Sequence, residues 1–303
     1  MKILLLGATG QVGEEIAELF KNSDHEILPL LRGQCDLSRP DLVLATLLQF
    51  HVDLVINAAA YTAVDKAEEE KALAKQINAF SVEKLANYCQ MNNIPLIHFS
   101  TDYVFDGSKS EGYIEDDPTN PLSIYGHSKL LGEYLIQSSL DKYLILRISW
   151  VFGKYGQNFV KTILRLAATR KELRIVADQW GCPTAARDIA RVIYAMVQKI
   201  NEGKFSDWGI YHYASQGPIS WSEFAATFIN LAKSKGYHLA LNHLIEINTE
   251  DYPAKAKRPK NSVLITNKIE RIFNIHRDSW NNYLPEVIEF MHQEQEKSHE
   301  LSD

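Results

Sequence analysis

The stretch Gly7-Ala8-Thr9-Gly10-Gln11-Val12-Gly13 constrains this chain more than any other. It follows the apolar run Lys2–Leu6 and opens an amphipathic segment, Gln11–Asn22, with Val12, Ile16, Leu19 and Phe20 on one face. A strand that turns through G-x-x-G-x-x-G into a helix has few uses for its glycines. Gly7 makes the tight turn, Gly10 lets the backbone approach a pyrophosphate, and Gly13 lets the helix lie against the sheet. The free N–H groups and the positive end of the helix dipole favour a phosphate there. Gly7, Gly10, Gln11, Val12 and Gly13 are therefore assigned to a dinucleotide. A strand–helix turn without a ligand would show the same glycines. The place of these glycines between a clear strand and a clear helix favours the dinucleotide.

The segments that follow keep one rhythm. Strands are predicted at Glu26–Leu31, Asp53–Ala59, Pro95–Thr101 and Tyr143–Ser149, and helices at Pro40–His51, Ala72–Met91 and Ser123–Ser139. Strands that are apolar throughout and alternate with helices imply a parallel sheet covered on both faces. The expected class is α/β, a doubly wound Rossmann-type sheet of about seven strands. After Trp150 the rhythm changes. Helices are expected at Asn158–Arg170, Arg187–Asn201, Ser220–Lys235 and Pro285–Gln295, a short strand at Arg174–Ala177, a loop over Asn248–Asn261 and a frayed end over His299–Asp303. Ser220 with Glu223 three residues on is a capping-box pattern. The expected division puts 1–152 with about 185–215 in a dinucleotide-binding domain. It puts 153–184 with about 216–303 in a smaller α/β lobe that holds the substrate, the chain crossing between the two.

Composition narrows the function. A net charge of −6 with no long basic run leaves no nucleic-acid footprint. No apolar run approaches the ~20 residues of a membrane span. Cys35, Cys89 and Cys182 have no paired spacing, which suits reduced thiols and a cytoplasmic protein. The histidines form no H-E-x-x-H or Cys/His ligand pattern, so no metal is assigned. A G-x-S-x-G elbow is missing, so a hydrolase reading has no nucleophile.

At the end of the second strand, where an acidic residue would select NAD, stands Leu31-Arg32-Gly33. Arg32 would meet a 2′-phosphate and lean toward NADP, or be a solvated surface arginine. Asp36, slightly late, is better placed for the adenine amino group, with Leu37 beside it. Tyr125 and Lys129 stand four residues apart on a predicted helix, hence on one face a turn apart. An ammonium beside a phenol stabilises the phenolate and lowers its pKa from near 10 toward neutral. A tyrosine so tuned can protonate a carbonyl oxygen as hydride arrives at carbon. The fourth strand ends in Ser100-Thr101-Asp102, and a hydroxyl at a sheet's carboxyl edge lies where such sheets bind ligands. Thr101, Tyr125 and Lys129 together complete a carbonyl-reduction site.

With these residues in hand, the sequence resembles the extended short-chain dehydrogenase/reductase superfamily, and within it the dTDP-4-dehydrorhamnose reductase family. The resemblance covers nearly the whole chain. It rests on the glycine turn, Asn57–Glu68, Ser100-Thr101-Asp102-Tyr103-Val104-Phe105-Asp106-Gly107, Tyr125 with Lys129, Arg147–Gly153, Asp178–Thr184, Ser220-Trp221 and Arg258-Pro259-Lys260-Asn261-Ser262. It implies reduction of a dTDP-4-keto-6-deoxysugar with NADPH or NADH, giving dTDP-L-rhamnose. It implies catalysis by Thr101, Tyr125 and Lys129. It puts Ala58, Ala59 and Tyr61 on the dinucleotide, and Asp102, Tyr103, Trp150, Asn158 and Arg258 on the sugar nucleotide. Trp180, Trp208, Trp221 and Trp280 are expected to pack rather than bind. The implied partner is a small-molecule nucleotide sugar; a homodimer and any magnesium requirement stay open. A reductase making another deoxysugar such as 6-deoxytalose is the nearest rival. A non-catalytic dinucleotide-binding regulatory subunit, like that of methionine adenosyltransferase, is the rival from another class.

Overall fold

The first strand, β1 (Lys2–Leu6), lies inside a parallel sheet, and the pleat sorts its side chains. Ile3 and Leu5 enter one core, Leu4 and Leu6 the other, as a period of two requires. In this computed structural model, which describes residues 1–300 and side chains through residue 293, the chain continues as α1 (Gln11–Phe20), β2 (Glu26–Leu30), α2 (Pro40–Leu47) and β3 (Leu54–Asn57). Next come α3 (Val64–Ala67), α4 (Lys71–Lys75), α5 (Ser81–Asn92), β4 (Leu96–Thr101), α6 (Ile124–Ser139) and β5 (Tyr143–Ile148). The second half holds β6 (Val151–Phe152), α7 (Phe159–Thr169), β7 (Glu172–Val176), β8 (Trp180–Gly181), β9 (Thr184–Ala185), α8 (Ala186–Asn201) and β10 (Gly209–Tyr213). It ends with β11 (Ile219–Ser220), α9 (Trp221–Ser234), β12 (His243–Ile247), α10 (Asn267–Phe273) and α11 (Leu284–Glu300). The expected frayed end therefore falls partly in a helix and partly, from 301 on, outside the described residues.

The main sheet has six strands, not seven, in the order β10-β5-β4-β3-β1-β2. All neighbours are parallel. On one face α1 and α8 bring Ile16, Phe20, Ile189, Ile193 and Met196 onto Ile3, Leu5 and Ile56. On the other, α2, α5 and α6 bring Val43, Leu47, Leu85 and Ile136 onto Leu4, Val55 and Ile145. Burial on both faces explains why these strands read as unbroken apolar runs. The sixth strand, β10, escaped prediction because its Tyr211, His212 and Tyr213 are buried polar-tipped residues. Their tips are bonded, for example Tyr213 to Asp188 at 2.6 Å and His212 to the Tyr113 carbonyl at 3.1 Å.

The predicted helix Ala72–Met91 is interrupted. A π-helical turn, Gln76–Phe80, separates α4 from α5. Inside it the Asn78 side chain accepts from the Tyr61 backbone N–H at 2.8 Å and donates to Ser128 Oγ at 2.9 Å. Such single π turns often mark functional sites, and here the turn ties α6 to the loop after β3.

A further core gathers Val160, Leu164, Phe224, Phe228, Trp280, Leu284 and Ile288 from α7, α9, the 3₁₀ turn Trp280–Tyr283 and the start of α11. The parallel pair β7–β12 lies beside it. Ser220 and Glu223 close the capping box that their spacing foretold. The tract Asn248–Asn261 is irregular apart from a 3₁₀ turn at Thr249–Asp251. Among the described residues no helix is long and apolar enough to cross a membrane.

Candidate active site

Going outward from β1, the strand order runs one way through β2 and the other way through β3, β4, β5 and β10. Doubly wound sheets bind ligands beyond the carboxyl ends of the strands at such a switch point. A cleft of about 530 Å³ opens there. Gly10, Gln11 and Val12 line it from the turn after β1, Ala58, Ala60 and Thr62 from the segment after β3, and Thr101, Asp102 and Tyr103 from the end of β4. Tyr125 and Lys129 enter from α6, Trp150 from the end of β5, Gly156 and Gln157 from the following loop, and Trp221 from the start of α9.

The glycine turn is built for a close visitor. Gly7 has φ +73°, and a Cβ on Gly13 would sit 2.1 Å from the Gly7 carbonyl oxygen. Helix α1 thus starts hard against the turn, with Gly10 as its N-cap and no side chain satisfying its first N–H groups. Those donors face the cleft, which fits the pyrophosphate of a dinucleotide.

Thr101 closes β4 and caps the short 3₁₀ turn that follows: its Oγ1 accepts from the Tyr103 N–H at 3.2 Å and donates to Asp102 Oδ1 at 3.1 Å. Asp102 is buried, and its other oxygen, Oδ2, has no hydrogen-bond partner. Burial pushes its carboxyl up to about 6. That oxygen is closed off from solvent, and the Ser262 and Ser149 hydroxyls join Thr101 in opposing the upward shift.

Tyr125 is half-buried, its ring edge-on to Tyr103 at 6.0 Å. Burial pushes its phenol up to about 12, against the lowering influence of the Thr101 hydroxyl. The phenol is therefore fully protonated near neutrality, and the expected lowering by Lys129 does not appear. The reason is where Lys129 points. Its Nζ donates to the Phe99 carbonyl at 2.6 Å and lies 3.3 Å from His98 Nε2. Burial in turn brings the Lys129 ammonium down to about 8, with Glu133 acting the other way.

Trp150 holds a left-handed backbone, φ +46°, a conformation that costs a bulky residue of the order of 1 kcal/mol or more. Its indole lies on Gly181, where a Cβ would come within 2.4 Å of the ring, and stacks on Trp221. Trp221 was expected to be packing. It does touch Phe159 at 4.4 Å, yet together with the Trp150 ring it also lines the cleft. The signal available was its place one residue after a capping serine, which sets it at the tip of α9.

Other expected site residues lie outside the cleft lining. Asn158 is the N-cap of α7: Oδ1 accepts from the Lys161 N–H at 3.1 Å and Nδ2 donates to the Gly153 carbonyl at 2.8 Å, so its amide is engaged. Leu37 packs in the core under α2, and its carbonyl accepts from Ser81 Oγ at 2.6 Å. Arg32 is exposed on the loop after β2, 3.7 Å from Asp36. The Tyr61 hydroxyl donates to Glu70 at 2.7 Å, and Ala59 turns into the core beside it. Arg258 grips Asp65 with two nitrogens, at 2.6 and 3.3 Å, and lies beside Tyr103. Ala60, Thr62, Gln157 and Trp221 take lining positions that sequence reasoning did not assign.

Comparison with known proteins matches this frame. The RmlD substrate binding domain family model matches residues 1–293. A dTDP-4-dehydrorhamnose reductase of Aggregatibacter actinomycetemcomitans is 42% identical over 94% of this chain and 98% of its own. One of Burkholderia thailandensis is 43% identical over 92% and 95%. Among solved structures, the Bacillus anthracis dTDP-4-dehydrorhamnose reductase in complex with NADP is 35% identical, covers 94% of this chain and 98% of that one, and superposes with a TM-score of 0.86. The Clostridium acetobutylicum reductase is 37% identical over 96% and 100%, with a TM-score of 0.87. With its parallel sheet, its glycine turn and its Thr101, Tyr125 and Lys129 around one cleft, the chain belongs to the RmlD family of dTDP-4-dehydrorhamnose reductases.

Proposed function

We propose that this chain reduces the C4 keto group of dTDP-4-dehydrorhamnose to give dTDP-L-rhamnose, using NADPH or NADH. The observation that carries the reading is the convergence of Thr101, Tyr125 and Lys129 on the cleft that the glycine turn opens into. The relatives named above act as such reductases, and the one of known complex holds NADP.

The bound dinucleotide supplies hydride to C4. Tyr125 supplies the proton: its O–H bond breaks as a new O–H forms on the sugar oxygen, leaving a phenolate. A phenol held near 12 is fully loaded with that proton at neutral pH. Thr101 lies beside Tyr125 and orients the carbonyl oxygen through its hydroxyl. Lys129, one helical turn along the same face of α6, lines the cleft and would hold the nicotinamide ribose hydroxyls. Asp102, lining the cleft on the sugar side, holds the Thr101 hydroxyl through its Oδ1, and Trp150 with Trp221 forms the wall for the sugar face. Residues 1–152 with about 185–215 hold the dinucleotide, and 153–184 with about 216–303 hold the sugar nucleotide. Arg32 is the group for a 2′-phosphate. The reading includes a cytoplasmic location, in keeping with three free, buried cysteines.

The test is Tyr125→Phe with purified protein, the keto sugar and NADPH. Turnover should fall by at least ~10²-fold with cofactor affinity retained, and NMR of the wild-type product should show the rhamnose configuration at C4. Unchanged turnover removes the proposed acid. A talose product changes the substrate assignment, and binding without any turnover in the wild type points to the regulatory reading.

A further inference from the structure

Behind Lys129 lies a chain of buried polar groups that the mechanism leaves without a task. Asn57 at the end of β3 and His98 in β4 have no solvent exposure at all, and Lys129 has almost none. His98 bridges the other two: Nδ1 is 3.0 Å from Asn57 Nδ2, and Nε2 is 3.3 Å from Lys129 Nζ.

The polarity of this chain is fixed from one end. The Ala59 backbone N–H donates to Asn57 Oδ1 at 3.1 Å. A backbone N–H is only a donor, so the amide oxygen of Asn57 must face it and the amide nitrogen must face His98. Asn57 Nδ2 then donates, and His98 Nδ1 must accept with its lone pair. Burial and the nearby Lys129 hold His98 well below its ordinary range, so the ring is neutral and carries one proton. With Nδ1 accepting, that proton sits on Nε2. It points at Lys129.

An N–H aimed at an ammonium is a donor facing a donor. An N–H aimed at a neutral amine is a hydrogen bond, because the amine offers a lone pair. Lys129 retains its donor bond to the Phe99 carbonyl in either form. We propose that Asn57 locks His98 in its Nε2–H tautomer, and that this tautomer biases Lys129 toward the neutral amine. His98 and Asn57 are thus positioning residues that set how readily Lys129 yields a proton.

The inference rests on the reductase reading of the site, in which Lys129 would hold the nicotinamide ribose through its N–H donors. Deprotonation removes one of those donors and the charge, so the acidity of Lys129 sets the basic limb of the pH–rate profile. The other charged groups around Lys129 act in known directions. Glu133, one turn further along α6, favours the ammonium but is itself neutralised by Arg147 of β5. Tyr125 lies one turn back on the same helix, and Asp102 at the end of β4 bears on Tyr125.

Two measurements decide it. Long-range ¹H–¹⁵N correlation on histidine-labelled protein reads the tautomer of His98 directly, without turnover. The proton is expected on Nε2; finding it on Nδ1 overturns the proposal, whatever the enzyme does. The second is Asn57→Asp, nearly isosteric. Its carboxylate still accepts from Ala59 but can no longer donate to His98, so the ring proton must move to Nδ1 and a lone pair must face Lys129. The basic limb of the pH–rate profile, set by Lys129, should move up by about one unit. Because the new charge also favours the ammonium, the same substitution is made in His98→Leu. An equal shift in both backgrounds reduces the effect to charge alone and sinks the tautomer lock; a shift mostly lost without His98 supports it. Should wild-type protein show no reduction at all, the reductase reading fails while the NMR result still stands or falls by itself.

Discussion

The indoles of Trp150 and Trp221 lie face to face, 3.4 Å between centroids and 6° from parallel. One ring comes from the end of the nucleotide-binding sheet, the other from the first residue of α9. A full sandwich is not the arrangement two aromatic rings choose for themselves, since their quadrupoles prefer an offset or an edge. Here it is imposed. Trp150 is held at positive φ over Gly181, and Trp221 is fixed by the capped start of α9 and by Phe159. The pair is a rigid part of the wall of the cleft, built from segments other than the glycine turn.

That placement separates the two ligands. Trp221→Ala should raise KM for the nucleotide sugar by roughly tenfold, the worth of an aromatic face at ~1–1.5 kcal/mol. KM for NADPH should stay within about twofold, because the phosphate donors belong to the glycine turn and not to the start of α9. Trp221→Phe should recover most of the loss. Steady-state kinetics with each substrate varied in turn would show it. Equal weakening of both ligands would put Trp221 in a merely structural role.

Asp102 is where stability and binding oppose each other. Its folded pKa, about 6, lies above the ordinary 3.8. Between those values the native state keeps a proton that the unfolded chain has lost, so stability falls as pH rises through this window and then levels off. Asp102→Asn removes the buried charge. It should stabilise the protein at pH 7 by roughly 1–3 kcal/mol and make no difference below about pH 4. It should also weaken sugar-nucleotide binding, because the carboxylate that holds the Thr101 hydroxyl is lost. Urea unfolding at both pH values, with KM beside it, tests the pair; a variant less stable at pH 7 would show that Asp102 is a structural anchor.

How much of this was legible beforehand follows from physics that is local or not. The turn Gly7–Gly13 was legible because glycine spacing, strand and helix lie within one short segment. The capping box at Ser220 and Glu223 was legible for the same reason. Tyr125 and Lys129 were legible as a helical pair, but the direction of Lys129 was not. Its partners, the Phe99 carbonyl and His98, come from another strand some thirty residues away. Asn158 was read as a sugar contact, and an asparagine that caps a helix looks the same in sequence; the cap, with Oδ1 accepting from the Lys161 N–H at 3.1 Å, became visible only in the fold. β10 was missed because buried tyrosines and a histidine do not read as an apolar strand until their partners are known.

The glycine turn offers a contrast within one chain. Gly13→Ala would force a Cβ within 2.1 Å of the Gly7 carbonyl oxygen, a backbone atom with nowhere to go. The start of α1 must move off the turn, and NADPH affinity should drop by at least about tenfold, since the phosphate's N–H donors move with it. Gly33→Ala meets nothing within 4 Å and has no positive φ, so it should leave both stability and affinity within experimental error. Isothermal titration of the two variants with NADPH gives the comparison. Equal affinity in both would mean that the dinucleotide does not sit on this turn.

Under the site lies a fully buried ion pair. Arg147 reaches both oxygens of Glu133, at 3.0 and 2.7 Å, and Ser100 donates to the same carboxylate at 2.5 Å. The remaining guanidinium nitrogen faces the Glu115 carbonyl and His212, each at 3.3 Å, with the Phe105 ring at 5.2 Å. His212 is held neutral near 3 by burial, so it can accept from the arginine through Nε2. Glu133 lies on the same face of α6 as Tyr125 and Lys129, so the pair fixes the rotation of that helix against β4. Glu133→Gln leaves a guanidinium buried without its counter-charge and should cost about 3–5 kcal/mol. Glu133→Gln with Arg147→Met removes both charges and should recover much of that loss. If the double variant regains stability but not kcat, the ion pair serves to aim Tyr125 at the substrate. If kcat returns with stability, its contribution is to folding alone.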